Sequence, residues 1–392
     1  MKTAFAVAVL AGCGFQPGTL APSDSNADDD DASADAETDA TVFLDAAEAP
    51  WLSTHGYRKA MQVMPGGAAA ALASFPVPVR IKTDADLVAH ARSDAADLVV
   101  TTDDGTTVLP HELAYYDPAT GEAELWVLVP TLQLDAVTSL FLYYGGPAGT
   151  PNGTAVWTNG YKGVWHVSGL AAATTEVDST TSANHLNQAT AANVPGASPG
   201  ASLAGTTIGR ARAFDGSNDA LTVPDPANGS LDVGSTAFSV SLWVNSAQSN
   251  GLYDTPLYKG GTNGGNYGYS VFAGTSAWAG KIMDQTSTFI NPQFSATQIN
   301  GRWVHLVMSI QRSPSNVATT YLDGVSVGTL TFNLQSFDGT AGFTLGGVTA
   351  MFQGAIDEVR VYSRTLSADW VATEFASLTK ADFVTVGAER TP

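Results

Sequence analysis

The chain has 392 residues, and its 37 acidic side chains outnumber its 17 lysines and arginines, which gives a formal net charge of −20 at pH 7. A protein this acidic lacks the basic surface that nucleic acids require, so we expect no nucleic-acid partner. Its 39 glycines, its charged fraction of 14% and its one cysteine favour extracellular β-structure without disulfides, and its length suggests two or three domains.

The chain begins with a pattern typical of a secretory signal peptide. Lys2 precedes a short apolar stretch at residues 4–11, and the one cysteine, Cys13, follows small residues. The run Leu10-Ala11-Gly12-Cys13 resembles the lipobox of bacterial lipoproteins. This resemblance implies that residues 1–12 are removed and that Cys13 carries the acyl chains of a membrane anchor. An ordinary signal peptide with a chance cysteine is the alternative.

Residues 13–49 are predicted to form a disordered acidic tether. Ten acidic residues and no lysine or arginine lie between positions 15 and 50. This mixture of aspartate, alanine and serine cannot bury enough apolar surface to offset the entropy of ordering, and its like charges repel one another. The aspartate run at 28–31 lacks the glycine and the distal glutamate of an EF-hand loop, which disfavours a specific metal role there.

Residues 50–150 are predicted to form a β-sandwich module. Short alternating apolar runs recur along this segment, and turn sequences such as 103–105 separate them. Pro76 and Pro78 favour a sheet edge for the run that contains them, because proline cannot donate to a ladder. The one helix predicted in this module spans residues 84–92, where apolar residues recur at helical spacing.

Seven short motifs follow one another in this module. They lie at 56–58, 75–77, 96–98, 104–105, 109–112, 125–130 and 142–145. In this order they resemble the domain of unknown function 2341, a module of bacterial secreted and surface proteins, and that resemblance implies no activity. His111 and Glu112 are candidates for an acid–base or metal pair, but adjacent strand residues face opposite sides. We therefore expect them to open a strand and to be satisfied locally.

Residues 155–390, after a linker rich in glycine and proline, are predicted to form a second β module. Residues 238–244 and 302–310 alternate between apolar and other side chains, as half-buried strands do. Asp323-Gly324 is a hairpin signal, and a short helix capped by Ser367 follows near the C-terminus. About a dozen strands without a long helix predict two packed sheets.

The second module also carries spaced motifs that point to a fold family. They lie at 214–216, 242–244, 303–306, 322–324 and 354–362. Together they closely resemble the LamG-like jelly roll of the concanavalin A-like lectin/glucanase superfamily. The expected fold class is therefore all-β, with two β-sandwich domains of which the second is a concanavalin A-like jelly roll, preceded by the disordered acidic tether. Such a resemblance indicates the fold better than the function.

The same resemblance implies a calcium site. In such folds a Ca²⁺ ion often joins the early Phe-Asp-Gly turn to the late Ile-Asp strand, which here points to Asp215 and Asp219 on one side and Asp357 on the other. Calcium takes six to eight oxygen ligands, so backbone carbonyls would complete the shell. The alternative is that Asp215 caps a turn and Asp357 pairs with an arginine.

The resemblance to lectins also implies a ligand-binding surface. Tyr253, Tyr267 and Trp278 lie in a region rich in glycine and asparagine at 250–280. Exposed aromatic rings there could stack on the weakly polar faces of sugars. The alternative is that they pack in the core, as strand residues do.

Catalysis is the rival function, because the superfamily contains glucanases. Retaining glycosidases need two carboxylates about 5–5.5 Å apart, and glucanases of this fold use Glu-x-Asp-x-x-Glu or a similar arrangement, which the sequence lacks. His166 and His305 lie in apolar strands, where satisfied core histidines are the commoner case. We therefore expect no enzyme activity.

The leading hypothesis is a lipoprotein of the bacterial cell envelope, anchored in a membrane by its acyl chains and displayed at the outer membrane or cell surface. Its second module would bind a glycan or a surface protein without catalysis. The first alternative is a structural or adhesive envelope protein with no small ligand. The second is a divergent glycoside hydrolase.

Overall fold

A computed structural model describes the chain over residues 49–67, 71–150, 152–168, 174–188, 196–199, 210–247, 254–261, 267–274, 277–297, 299–347 and 351–392. All of them belong to one compact unit, residues 43–392. Within these ranges, no helix combines the length and the apolar composition needed to cross a membrane.

The first module is a sandwich of two small antiparallel sheets. Its elements are β1 (Tyr57–Val63), β2 (Leu72–Ile81), α1 (Ala85–His90), β3 (Val99–Thr102), β4 (His111–Asp117), β5 (Glu122–Leu132) and β6 (Thr138–Tyr144). One sheet contains β1, β6 and β3, and the other has the order β2-β5-β4. The proline-containing strand β2 lies at a sheet edge, as predicted. The predicted helix forms as well, and Asp84 caps it by accepting hydrogen bonds from the backbone of Asp86 and Leu87.

The remaining elements belong to the linker, the second module and a C-terminal strand, β23. They are η1 (Gly153–Trp157), β7 (Tyr161–Trp165), β8 (Thr175–Glu176), β9 (Leu186–Gln188), β10 (Gly196–Pro199), β11 (Arg210–Asp215), β12 (Leu221–Val223), β13 (Phe238–Ser246), β14 (Asp254–Lys259), β15 (Gly268–Ala273), β16 (Trp278–Met283), β17 (Phe289–Ile290), β18 (Val304–Gln311), β19 (Val317–Leu322), β20 (Val325–Thr331), β21 (Phe343–Leu345), β22 (Gln353–Tyr362), α2 (Ala368–Thr379) and β23 (Val384–Arg390).

Two eight-stranded sheets form the jelly roll. One has the order β10-β11-β22-β13-β18-β19-β20 with β7 beside β22, and the other has the order β17-β16-β15-β14-β21-β12-β9-β8. Their inner faces enclose a buried apolar cluster that includes Trp165, Leu242 and Leu306. Asp323 and Gly324 join β19 to β20, both with positive φ (51° and 80°), which is the geometry of a type I′ hairpin. The fold is all-β as predicted, with two sandwiches.

The C-terminus departs from the predicted range of the second module. β23 pairs antiparallel with β1, with Met61 opposite Val386, and so completes the four-stranded sheet of the first module. It covers an edge of β1 that would otherwise leave backbone groups unpaired. Helix α2 packs on the same module, where the rings of Phe75 and Trp370 are 4.9 Å apart. The two modules therefore share one apolar cluster, and the chain crosses between them twice.

Candidate functional site

Glu112 lies where the two modules meet. Strand β4 places it opposite Trp126 of β5. Its carboxylate accepts hydrogen bonds from Trp157 Nε1 at 2.5 Å and from Ser179 Oγ at 2.6 Å, and it lies 3.5 Å from His166 Nε2. Residues of the second module and of the segment that leads into it thus hold a carboxylate of the first.

A series of buried charged side chains connects His166 to Glu374. His166 Nδ1 lies 2.8 Å from a carboxylate oxygen of Glu358. Arg360 donates from Nη2 to Glu358 at 2.7 Å and from Nη1 to Glu374 at 2.8 Å. The side chains of His166, Glu358, Arg360 and Glu374 are each 8% exposed or less. The guanidinium of Arg360 also lies 4.6 Å from the ring centroid of Trp126, a cation–π contact across the junction.

Neighbouring charges outweigh burial throughout this network, which we call the junction network. Burial opposes a charged His166, yet Glu358 and Glu112 raise its pKa well above its usual value. Burial likewise opposes ionisation of the glutamates, yet His166 lowers the pKa of Glu112, and His166 with Arg360 lowers that of Glu358. Arg360 helps to lower the pKa of Glu374 to about 2. At neutral pH the network therefore alternates in sign, with three carboxylates and two cations.

Glu358 and Glu374 of the junction network are closed to a substrate. Glycoside hydrolysis needs one carboxyl group to protonate the leaving oxygen and a second to attack or to activate water. Here the oxygens of Glu358 and Glu374 already accept from buried partners. A sugar could not reach them without opening the core. The arrangement is that of a structural link between the modules.

The sequence predicts that His111 and Glu112 find hydrogen-bond partners close by in the chain. This prediction is right for His111 and wrong for Glu112. His111 contacts the carbonyl oxygens of Leu109 and Leu98 through its two ring nitrogens, at 2.9 and 2.8 Å. Glu112 instead finds partners 45 to 67 residues away in sequence. No local pattern could reveal them, because only the docking of the modules brings them together.

His305 lies in a second buried polar group. Its Nε2 is 3.0 Å from Ser241 Oγ, and that hydroxyl donates to Glu374 at 2.5 Å. The residue types are those of a catalytic triad, but Glu374 accepts from the serine instead of orienting the ring. His305, Ser241 and Glu374 are at most 2% exposed, so no acyl group could approach the hydroxyl.

The structure brings two of the three predicted calcium ligands together and separates the third. Asp219 Oδ2 accepts the backbone N–H of Asp215 at 2.9 Å, while Asp215 Oδ1 accepts from two N–H groups of its own turn. Asp215 pairs with Gln353, four residues before Asp357 on β22, which is a separation of about 13 Å along a strand.

Asp215 therefore caps its turn, as the alternative interpretation held, and Asp357 lies buried opposite Trp243. No group of three or more acidic, histidine or cysteine side chains suited to a metal ion occurs in the part of the chain that the structure describes. A staple through all three aspartates does not fit this register. Calcium binding itself stays a prediction.

The predicted ligand-binding aromatics fall in three different situations. Trp278 is fully buried on β16, and its indole Nε1 donates to the carbonyl of Ile299 at 3.3 Å. Its prediction as a sugar platform is wrong, because the ring faces the core between the sheets. Tyr267 is half-buried just before β15. Tyr253 and the predicted lipidation site Cys13 lie outside the described residues.

Two models of known protein families match parts of the chain. Residues 215–372 match the family model of the concanavalin A-like lectin/glucanases superfamily, and residues 94–167 match that of the domain of unknown function 2341. No curated protein matches the chain.

Several solved structures resemble part of the chain. One is the binding domain of Paraclostridial Mosquitocidal Protein 1, at 15% identity over 56% of this chain and 52% of that one, with a TM-score of 0.43. A second is the binding domain of botulinum neurotoxin DC in complex with rat synaptotagmin II, at 13% identity over 57% and 53%, with a TM-score of 0.41. A third is the botulinum neurotoxin type G receptor-binding domain, at 11% identity over 55% and 50%, with a TM-score of 0.37.

The chain thus spans about half of each of these structures. Similarity at this level carries no inference about function. The two family models match separate parts of the chain, the domain of unknown function 2341 at residues 94–167 and the concanavalin A-like lectin/glucanases superfamily at residues 215–372.

Proposed function

We propose that this protein binds a glycan or a surface protein through its concanavalin A-like module and does not turn its ligand over. The family match over residues 215–372 carries the proposal, since that fold is shared by lectins and glucanases. The junction network favours lectin-like binding over glucanase activity. The buried carboxylates Glu358 and Glu374 are already paired with Arg360, which leaves them no proton chemistry to perform on a sugar.

We propose that the ligand binds near Tyr267, just before β15. Tyr267 is the described aromatic residue among the predicted ligand contacts that is half-buried and not fully buried. A ring at a loop can stack on a sugar or anchor a protein side chain, whereas the buried ring of Trp278 supports the core beneath it.

The membrane anchor is a separate proposal that rests on the lipobox-like run ending at Cys13. One acyl chain binds membranes only marginally, so stable anchoring needs the several chains that lipoprotein processing supplies. The protein would then face the outside of the cell at the outer membrane or cell surface, with the acidic segment 13–49 as a spacer.

A structural or adhesive envelope role without a small ligand is the second candidate. The observation in its favour is the shared core of the modules, because α2 and β23 tie the second module to the first as one unit. A divergent glycoside hydrolase is the third candidate, and the fold alone supports it.

A glycan array probed with the full chain, with and without calcium, tests the proposal. The fragment 155–390 would be a poor substitute, because it separates β23 from β1. We expect saturable binding that falls several-fold in Tyr267→Ala and is unchanged in Tyr115→Ala, a half-buried tyrosine of the first module. Binding to no glycan while cells or envelope proteins are still bound would favour the adhesive role. Release of labelled sugar would contradict the proposal.

A further inference from the structure

Strand β20 forms an open edge of the jelly roll. It ends the sheet that contains β13 and β22, and it pairs with β19 on one side. On its other side, the backbone of the strand has no hydrogen-bond partner among the described residues. An open strand edge presents a row of N–H and C=O groups that matches a further extended chain. The edge therefore fits a β-strand.

The same strand concentrates exposed apolar side chains. Nine large apolar residues are exposed in the described ranges, and three of them lie on β20, namely Val325 (64%), Val327 (46%) and Leu330 (39%). Single exposed apolar residues are ordinary on protein surfaces, whereas several on one short strand mark a contact surface. A strand that pairs with β20 would cover these side chains along with the backbone.

The sequence of β20 lacks the usual protection of an edge. Lysine, proline and inward-pointing charges keep many edge strands from pairing with other chains. Residues 324–337 contain no charged residue and no proline, although 14% of the whole chain is charged. The ladder with β19 shifts register between Thr320 and Tyr321, but residues 328–331 pair regularly with residues 317–320. This regular part of the strand is suited to continued pairing.

Charge and symmetry favour a second copy of this chain as the partner. The net charge of −20 makes two copies repel each other, so a contact between them is favourable where neither brings a carboxylate. Strand β20 meets this condition on both copies at once, whereas a basic partner would gain no attraction from its uncharged side chains. Antiparallel pairing about a two-fold axis uses the same strand in both copies and leaves neither edge open.

We propose that β20 pairs antiparallel with β20 of a second copy and so joins two eight-stranded sheets into one. A two-fold axis at Thr329 fits the side chains. Thr329 then faces its own symmetry mate, and Leu330 lies opposite Gly328, which has no side chain to crowd it. The pairing is independent of ligand binding by the concanavalin A-like module. It would set two such modules side by side, which raises avidity for a surface with repeated ligands.

Sedimentation equilibrium of the full chain carrying Cys13→Ser tests this proposal, since that change keeps lipid and disulfides from joining the copies. We expect a monomer–dimer equilibrium with a Kd of about 10–100 µM, because a contact of one strand is small for a specific interface. Added salt should tighten the dimer, because it screens the repulsion between the acidic copies. A chain that stays monomeric well above this range would overturn the proposal and leave the edge to a strand of another protein.

A matched pair of variants locates the contact. Leu330→Glu places two carboxylates near the axis and should weaken the dimer about tenfold or more. Leu113→Glu adds the same charge on β4, an edge strand of the first module, at a similarly exposed leucine (36% against 39%), and should leave the Kd unchanged. If Leu330→Glu fails to fold, Val327→Glu replaces it, with Val108→Glu as its control (46% and 47%). Equal losses within a pair would overturn the proposal.

Single cysteines in the same Cys13→Ser chain test the register. Thr329→Cys faces its own mate across the axis and should form a disulfide between copies under mild oxidation. Thr331→Cys lies on the same strand but faces Val327 of the second copy, so it should cross-link far less. Equal cross-linking by the two variants, or none by Thr329→Cys in a chain that dimerises, would contradict the pairing.

Discussion

Asp254 provides a test of how burial without a partner affects this fold. It begins β14 opposite Ala273 of β15 and is fully buried. Neither of its carboxylate oxygens has a hydrogen-bond partner in the described part of the chain. Burial therefore raises the pKa of Asp254 from 3.8 to about 7. The folded protein prefers the protonated acid, while the unfolded chain ionises near the usual value.

The sign of the effect follows from these two pKa values. Because the folded-state pKa of Asp254 is the higher one, the contribution of this group to stability is greatest below pH 4, falls as the pH rises and levels off above about 7. Between pH 5 and pH 7 the unfolded chain has lost this proton while the folded protein keeps it. Stability then falls by at most about 1.4 kcal/mol per pH unit, or about 3 kcal/mol over this interval. Relaxation and water entry reduce this upper bound, and we expect about 1–2 kcal/mol.

Asp254→Asn removes the titration and keeps the shape of the side chain. Urea unfolding of wild type and variant at pH 5 and pH 8 gives the difference in the free energy of unfolding at each pH, in which groups common to both proteins cancel. We expect the variant to gain about 1–2 kcal/mol on wild type between the two pH values. The exposed Asp135→Asn should show no such gain. A difference that stays constant with pH would refute the reasoning and mean that a cation or water already compensates the carboxylate.

Three further predictions follow from the junction and the anchor. Glu112→Ala leaves His166 without one of its two carboxylates and should lower the free energy of unfolding by about 3–5 kcal/mol, measured by urea unfolding, with Glu112→Gln less affected. Deleting residues 384–392 exposes the edge of β1 and should increase hydrogen exchange in β1 while β18 stays protected, whereas unchanged exchange would contradict the sharing of that sheet. Cys13→Ser should release the protein from membranes or leave an uncleaved precursor, and normal processing with undiminished membrane fractionation would show the lipobox interpretation to be wrong.

Local sequence patterns predict the individual elements of this fold well. Alternation predicts strands such as β13 and β18, Asp323-Gly324 predicts a tight hairpin, and Ser367 accepts a hydrogen bond from the backbone of Trp370 at the start of α2. These features depend on residues that are close in sequence, whose turn and capping chemistry is local. The edge position of β2 is predicted from local sequence as well, because its prolines cannot donate to a ladder.

Long-range pairing is what the sequence does not reveal. The local sequence does not indicate the partner of β23, which lies more than 300 residues away in β1. The same holds for Glu112, since the residue types do not indicate that docking will set it beside His166. Trp278 illustrates a third difficulty, because an aromatic residue between loops rich in glycine can face the solvent or the core. Only the position of the opposite sheet decides which, and here it buries the ring.

The junction network and the apolar contacts around it have different roles. Replacing a buried ion pair by apolar residues is often neutral or stabilising, so the charges of Glu358, Arg360 and Glu374 are weak evidence for stability. The stacking of Phe75 on Trp370 and the pairing of β23 with β1 bury apolar area and backbone groups without that desolvation cost. Removing a single charge is nevertheless costly, because the remaining charges are left uncompensated. We infer that the network penalises displacement of one module against the other and so helps to define their relative orientation.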